Sequence, residues 1–167
     1  MLFRSPKKAA VIGSGFVGME MVESFKNLGM EVDLISRSSI SKGIDSDLIK
    51  IIEEHLKENN VNLHTNISTK EINEKGLVLG DGTTVEADIV LVATGIEPNV
   101  VLARKTGVKL GTSGAIRVDK YMQTNLRDIY SCGDCIEVYN TVTVNKMYRP
   151  LGTTASKTGI IAGSRSE

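Results

Sequence analysis

The first part of the chain alternates between continuous apolar runs and segments with helical periodicity. Residues 9–12 are apolar without interruption, which is typical of a strand buried on both faces. A spacing near 3.6 then predicts an amphipathic helix whose buried face is formed by Val17, Met21, Phe25 and Leu28. We therefore expect a strand followed directly by a helix.

The same alternation continues over the next thirty or so residues. Glu31–Ile35 predicts a second strand, and Asp45 or Ser46 is expected to cap a second helix. The buried side of that helix is predicted to consist of Leu48, Ile49, Ile52 and Leu56. Val61–His64 predicts a short third strand, with His64 on the side that alternates outward, as a surface histidine.

The pattern of apolar and polar residues changes after the third strand. Residues 67–72 and 76–85 alternate apolar and polar positions around Gly80-Asp81-Gly82, which predicts a small antiparallel meander. Residues 88–93 return to a continuous apolar run and predict a central strand buried on both faces. Residues 7–97 are thus expected to form a complete small dinucleotide-binding domain of the α/β class.

Glycines divide the remainder of the chain into short segments. We expect short strands over residues 116–118 and 129–132, a polar loop over 139–148 and a final helix over 151–162. Apolar residues are sparse there, and this part is not expected to form a core of its own.

Composition limits the possible partners. The chain has 167 residues, 20 Lys+Arg and 20 Asp+Glu, so its formal net charge is zero. That balance removes the electrostatic case for nucleic acid or an acidic membrane as the main partner. No signal-peptide core and no apolar run of about 20 residues occurs, which predicts a cytoplasmic protein without a membrane span.

Cys132 and Cys135 have the C-x-x-C spacing of a redox pair or of half a zinc site. No second pair exists and the two histidines are far away in the sequence, so we expect no metal site. The pair brackets Gly133-Asp134 after an apolar segment instead of opening a helix, which disfavours a redox dithiol.

The first strand ends in a G-x-G-x-x-G pattern formed by Gly13, Gly15 and Gly18. Gly13 would make the turn, Gly15 would let a phosphate approach the backbone, and Gly18 would let the helix lie close to the strand. Small residues occur in many strand–helix turns, so this pattern alone is weakly specific.

Further motifs make the assignment specific. Residues 13–20 (GSGFVGME), 93–99 (ATGIEPN), 124–134 (TNLRDIYSCGD) and 150–155 (PLGTTA) together resemble the pyridine nucleotide-disulfide oxidoreductases. The most similar branch contains NADH oxidase, NADH peroxidase and coenzyme A-disulfide reductase. The resemblance implies a Rossmann-like FAD/NAD(P)-binding fold, with an NAD(P) domain followed by part of an FAD domain over residues 98–167.

The resemblance also implies roles for particular residues. The positions expected at the pyrophosphate of the nicotinamide dinucleotide are Gly13, Ser14, Gly15, Phe16, Val17 and Gly18. Phe16 would cover the flavin where the family often has a tyrosine, or would be a packing residue. Glu20 would lie near the nicotinamide–flavin stack, or on the helix surface. The residues expected beside the nicotinamide are Gly95 and Ile96. The residues expected at FAD are Gly133, Asp134, Leu151, Gly152 and Thr153.

The end of the second strand bears on cofactor choice. An NAD site usually has an acidic residue there, whereas this chain has Ser36 followed by Arg37. Losing the carboxylate removes repulsion against a 2′-phosphate, and arginine can pair with that phosphate. Arginine also occurs here in NAD users, so the missing acid is the better indication. We expect NADP(H) to be preferred over NAD(H).

The expected activity is hydride transfer from NAD(P)H to FAD and on to a disulfide, peroxide or oxygen. The first flavin glycine motif, the active-site cysteine segment and the dimerisation domain of the family are missing, so no catalytic residue is assigned. This chain alone is expected to be inactive, and the full-length protein to be a homodimer. The alternatives are a truncated, non-catalytic NAD(P)-binding module, or an unrelated Rossmann protein such as a methyltransferase.

Overall fold

A computed structural model describes residues 5–40 and 44–164 of the chain. The chain divides into two compact units, one ending at Gly95 and one beginning at Ile96. Within the described residues, no helix combines the length and the apolar character that a membrane span requires.

The first unit contains seven strands and two helices among its described residues. In chain order these are β1 (Lys8–Ile12), α1 (Phe16–Asn27), β2 (Glu31–Ile35), α2 (Ser46–Glu58), β3 (Val61–His64), β4 (Thr69–Asn73), β5 (Gly76–Leu79), β6 (Thr84–Glu86) and β7 (Ile89–Val92).

A four-stranded parallel sheet forms the centre of this unit, with the order β3-β2-β1-β7. The predicted parallel sheet is therefore confirmed. Ile12 pairs in register with Ile35 on one side and with Val92 on the other, so the carboxyl ends of three strands lie at one edge of the sheet. The strand that the apolar run predicted to be central, β7, is instead an edge strand of the sheet described here, and Val92 is 58% exposed.

Residues of β1 alternate between the two faces of the sheet, as a strand requires. Ala9 and Val11 pack into a cluster with residues of both helices, whereas Ala10 and Ile12 pack against the meander. The meander is the predicted antiparallel sheet, β4-β5-β6, and it contributes Leu77 to the second cluster. The two sides of a single strand thus belong to two separate apolar clusters.

The buried faces of the helices differ in part from the predicted ones. In α1 the buried residues are Gly18, Val22 and Phe25, whereas Val17 and Leu28 are exposed. The helix already begins at Phe16, and Gly18 is buried so close to the turn that an added Cβ would overlap the carbonyl oxygen of Gly13, so the face that contains Gly18 lies against the sheet. The prediction that Leu48 is buried in α2 is likewise wrong, since it is 51% exposed.

His64 is not the plain surface histidine that the alternation predicted. Its Nε2 lies 2.7 Å from Oδ1 of Asp33, and both side chains are partly buried. Asn62 pairs with Asp33 in register, so His64 is the diagonal neighbour of Asp33 on the same face of two adjacent strands.

The second unit contains the following described elements: α3 (Val101–Lys105), β8 (Ile116–Arg117), β9 (Ile136–Asn140), β10 (Asn145–Tyr148) and α4 (Gly152–Gly163). The strands form a sheet of order β10-β9-β8, in which β9 and β10 are antiparallel and β8 and β9 are parallel.

Three predictions for the second unit are wrong. The predicted polar loop over residues 139–148 is the end of β9, a turn and β10. The predicted strand over residues 129–132 takes part only in an isolated bridge between Gln123 and Tyr130. The unit also has its own apolar cluster, which is formed by Val100, Val108, Ile116, Val118, Met122 and Ile136.

Candidate functional site

The turn between β1 and α1 requires glycine at Gly13 for reasons internal to the protein. Gly13 has φ +109°, a backbone conformation that favours glycine. Its N–H donates to the carbonyl oxygen of Ile35 at 2.8 Å, and a Cβ at this position would overlap the carbonyl oxygen of Ala93. The turn therefore lies tightly between β2 and the segment that follows β7.

Gly18 and Gly15 have opposite surroundings. A Cβ on Gly18 would overlap the carbonyl oxygen of Gly13, so Gly18 allows α1 to start close to β1. Gly15 has an ordinary φ of −76°, and an added Cβ there would meet no heavy atom within 4 Å. The folded chain does not itself require glycine at Gly15, and the space beside it is open.

The N-terminus of α1 carries no acidic side chain and no side-chain cap. Gly15 is the N-cap residue, and no side chain accepts a hydrogen bond from the first turn as a cap. Phe16 and Val17 are 74% and 65% exposed, and Glu20 is exposed on the next turn. Free N–H groups and the helix dipole at such an end favour an anion.

Ser36 connects the end of β2 to the glycine turn. It is buried, and its Oγ lies 2.9 Å from Oγ of Ser14, with which it shares a hydrogen bond. Arg37 is exposed and forms no ion pair with any residue that the structure describes. Sequence reasoning assigned both residues to the cofactor but did not foresee the bond between the two serines.

Gly95 follows β7 on the same edge of the sheet as the glycine turn. The N–H of Ala93 donates to the carbonyl oxygen of Ile12 at 2.8 Å, which extends the pairing of β1 and β7 toward this position. Gly95 has φ +102° and is exposed. The first unit thus brings together most of its predicted residues at the carboxyl edge of the parallel sheet. Ile96 begins the second unit and is 59% exposed.

In the second unit, the turn that contains Gly133 is bound to the last helix. Gly133 has φ +84°, and its N–H donates to Oγ1 of Thr158 at 3.1 Å. Asp134 is exposed. Leu151 is the N-cap residue of α4 and offers no side-chain cap, and Gly152 opens the helix.

Thr153 is exposed in the first turn of α4, whereas Thr158 is buried on the next turns. Thr158 donates to the carbonyl oxygen of Thr154 while it accepts from the glycine turn. The predicted flavin residues of this unit therefore lie on two segments that Thr158 holds together, and no sequence motif had pointed to that threonine.

The two cysteines are free thiols near one another. Cys132 is exposed, and the thiol of Cys135 donates to the carbonyl oxygen of Cys132 at 3.4 Å. Among the described residues, no group of histidine, cysteine, aspartate and glutamate could hold a metal ion.

Burial, assisted by the charges of Asp134 and Cys135, raises the pKa of Tyr148 above its usual range. The buried hydroxyl of Tyr148 has no hydrogen-bond partner in the described part of the chain.

Comparison with known families gives one match that spans most of the chain. The profile described as pyridine nucleotide-disulphide oxidoreductase matches residues 3–152. The NAD(P)H sulfur oxidoreductase (CoA-dependent) of Pyrococcus furiosus is 39% identical over 160 residues, which are 92% of this chain and 36% of that protein. The chain spans about a third of the length of the curated relatives it matches.

Solved structures agree with that match. The NAD-dependent persulfide reductase of A. fulgidus is 41% identical with a TM-score of 0.88, over 95% of this chain and 30% of that one. An engineered water-forming NADPH oxidase bound to NADPH, derived from the Lactobacillus brevis NADH oxidase, is 30% identical with a TM-score of 0.87. That match covers 97% of this chain and 37% of that one. Three consecutive engineered substitutions in it replace Asp-Ala-Met by Ala-Arg-Ser.

Proposed function

Because the chain belongs to the pyridine nucleotide-disulphide oxidoreductase family, we propose that its first unit binds NADP(H) as part of a flavin-dependent NAD(P)H oxidoreductase. The observation that carries the proposal is the open space beside Gly15, at an uncapped helix N-terminus. A backbone that needs glycine only for its own packing would not need Gly15. A phosphate approaching the first turn of α1 gives that glycine a reason.

The pyrophosphate of the cofactor is proposed to lie against the start of α1. The N–H groups after Gly15 would donate to phosphate oxygens, and the helix dipole would add to the attraction. Ser14 would hold the turn in place through its bond with Ser36. The remaining contacts at the pyrophosphate are assigned to Gly13, Phe16, Val17 and Gly18. The nicotinamide end is assigned to Glu20, Gly95 and Ile96.

Preference for the 2′-phosphate is proposed to rest on Arg37. Ser36 is buried and bonded to Ser14, so the exposed guanidinium of Arg37 is the group available to a phosphate at this strand end. The chain has Ser36-Arg37-Ser38 in sequence, and the engineered NADPH oxidase has Ala-Arg-Ser in place of Asp-Ala-Met. Both tripeptides lack the acid and place arginine before serine, which supports an NADP(H) preference.

The second unit is proposed to contribute part of a flavin site. Asp134 would accept hydrogen bonds from the ribityl chain, beside Gly133. Leu151, the N-cap residue of α4, donates its N–H to the carbonyl oxygen of Arg149 at 3.0 Å and would lie beside the flavin. The N–H groups that the uncapped first turn would direct at the flavin are those of Gly152 and Thr153. FAD, when bound, would supply the hydride acceptor that passes electrons on to a disulfide, peroxide or oxygen. The chain's own residues would bind and orient the two cofactors.

Titration of the chain with NADPH and with NADH tests the proposal. We expect NADPH to bind severalfold more tightly than NADH. Arg37→Ala should weaken NADPH binding about tenfold or more, because it removes a charge-assisted hydrogen bond worth roughly 1.5–3 kcal/mol. It should leave NADH binding nearly unchanged.

Arg104→Ala is a matched control, because it removes the same charge from an exposed position on α3. This control should change neither affinity. Binding of NADH severalfold tighter than NADPH would rule out the proposed preference. If neither NADPH nor NADH binds, the proposed site as a whole is ruled out.

A further inference from the structure

The second unit contains a cavity of about 360 Å³ that none of the cofactor assignments uses. Eight residues line it, and three of them are cationic: Lys109, Arg117 and Lys146. Asp119 is the acidic residue in the lining, which gives the cavity a formal charge of +2. Its volume lies within the range of about 300–1,000 Å³ that is usual for small-molecule sites.

The single carboxylate of the cavity is already engaged by the backbone. Oδ1 of Asp119 accepts hydrogen bonds from the N–H groups of Tyr121 at 2.8 Å and Gln123 at 2.9 Å. Neither Lys109 nor Arg117 forms a salt bridge with a residue that the structure describes. Two cations in one lining are therefore available to an anion from solution.

The third cation is held in a defined position. The ammonium group of Lys146, which belongs to β10, donates a short hydrogen bond to the carbonyl oxygen of Val118. This bond connects the hairpin formed by β9 and β10 to Val118, the residue after β8, and both residues line the cavity. An ammonium group has three N–H donors, so two remain for a ligand.

Asn125, another residue of the lining, holds the backbone on both sides of Val108. The backbone N–H of Lys109 donates to Oδ1 of Asn125 at 2.6 Å, and Nδ2 of Asn125 donates to the carbonyl oxygen of Gly107 at 3.2 Å. These bonds order the backbone of the lining before binding, so the entropy cost of binding falls mainly on the side chains of Lys109 and Arg117.

The charge of the whole unit favours the same kind of ligand. Residues from Ile96 onward include ten Lys or Arg and six Asp or Glu, a formal charge of +4 with histidines neutral. Residues up to Gly95 include ten basic and fourteen acidic residues, a formal charge of −4. The zero net charge of the chain hides this separation, which would steer anions toward the second unit.

We propose that this cavity binds a polyvalent phosphate group, either as free pyrophosphate or as the phosphate end of a small organic phosphate. Arg117 would supply the forked donor pair that fits phosphate oxygens, and the two lysines would supply point charges around it. A phosphate group offers three cations more negative charge and more oxygens than a single carboxylate does. The proposal does not depend on the nucleotide site of the first unit.

Amide-resolved NMR titration of the 167-residue chain with inorganic pyrophosphate tests the proposal, because it shows where the anion binds. Saturable shifts are expected at Lys109, Gln123 and Thr124. The double variant Lys109→Ala/Arg117→Ala should weaken the affinity fitted from these shifts at least about tenfold, since it removes two charge-assisted contacts.

The control is Arg104→Ala/Lys105→Ala, which removes the same two charges from exposed positions on α3 outside the cavity. It should leave the affinity within about twofold. Arg117→Lys retains the charge and should lose less affinity than Arg117→Ala. An equal loss in the control, or shifts confined to residues 13–18, would overturn the proposal. Adenosine 5′-monophosphate serves as the second probe: tighter binding than pyrophosphate identifies an organic phosphate, and weaker binding identifies the free anion.

Discussion

Gly13 and Gly15 differ in what the fold requires of them, and alanine at each position separates folding from binding. Gly13→Ala places an L side chain at φ +109°, which costs about 1–2 kcal/mol, and brings its Cβ into the carbonyl oxygen of Ala93. Relieving that overlap must move the end of β7 or lengthen the bond from Gly13 to Ile35. We expect a loss of at least about 2 kcal/mol in the free energy of unfolding, or roughly 4–8 °C in Tm.

Gly15→Ala should behave in the opposite way. Its backbone conformation suits any residue, and its Cβ would have no heavy atom within 4 Å. Alanine is a poorer N-cap than glycine, but it also reduces the entropy of the unfolded chain, and these two effects nearly cancel. We expect the free energy of unfolding to change by less than about 0.5 kcal/mol. The methyl group occupies the space proposed for a phosphate, so NADPH should bind at least about tenfold more weakly.

Urea unfolding followed by circular dichroism measures the first quantity, and fluorescence titration with NADPH measures the second. Unchanged stability in Gly13→Ala would refute the argument from backbone overlap. Unchanged NADPH affinity in Gly15→Ala would show that the open space is not where the cofactor binds. A large loss of stability in Gly15→Ala would contradict the open space beside this residue.

Three further substitutions test contacts elsewhere. His64→Ala removes the partner of the partly buried Asp33 and should lower the free energy of unfolding by about 1–3 kcal/mol; a double-mutant cycle with Asp33→Ala that gives no coupling would contradict this. Glu137→Ala leaves the N–H and hydroxyl of Ser113 without their buried acceptor, so thermal unfolding should show a larger loss than in Glu137→Gln. The pKa of Tyr148 is higher in the folded than in the unfolded chain, so its stabilising contribution is fully present below pH 10 and is lost as the pH rises from there through the raised value. Tyr148→Phe should flatten that alkaline loss in urea titrations at increasing pH, and an unchanged pH profile would refute the assignment.

The sequence predicted the first unit well because its signals are local. The apolar run before Gly13 and the pattern of Glu31–Ile35 need only neighbouring residues to be interpreted, and both became strands of the parallel sheet. Which strand occupies the edge depends on pairing between distant segments. The apolar run that forms β7 therefore looked central, although in the described sheet it pairs only with β1.

The hairpin of β9 and β10 escaped prediction because its signal is dispersed. Its turn is polar: Oδ1 of Asn140 accepts hydrogen bonds from the N–H groups of Val142 and Thr143, and the next residue, Val144, has φ +56°. The first two residues of β9 are buried, whereas in β10 two exposed residues are followed by two half-buried ones, so neither strand alternates clearly. Residues 129–132 have the apolar composition of a strand but pair only through one bridge.

The candidate site could be predicted to the level of backbone conformation but not of side-chain contacts. A positive φ at Gly13 follows from the spacing of three glycines, which is local. The bond between Ser14 and Ser36 joins residues 22 positions apart and follows from how β1 and β2 pair. That bond bears on cofactor choice. With its hydroxyl directed to Ser14 and its surface buried, Ser36 matters because it lacks a carboxylate, and recognition of a 2′-phosphate would have to come from Arg37. Selectivity in this chain would thus combine one missing repulsion with one exposed cation.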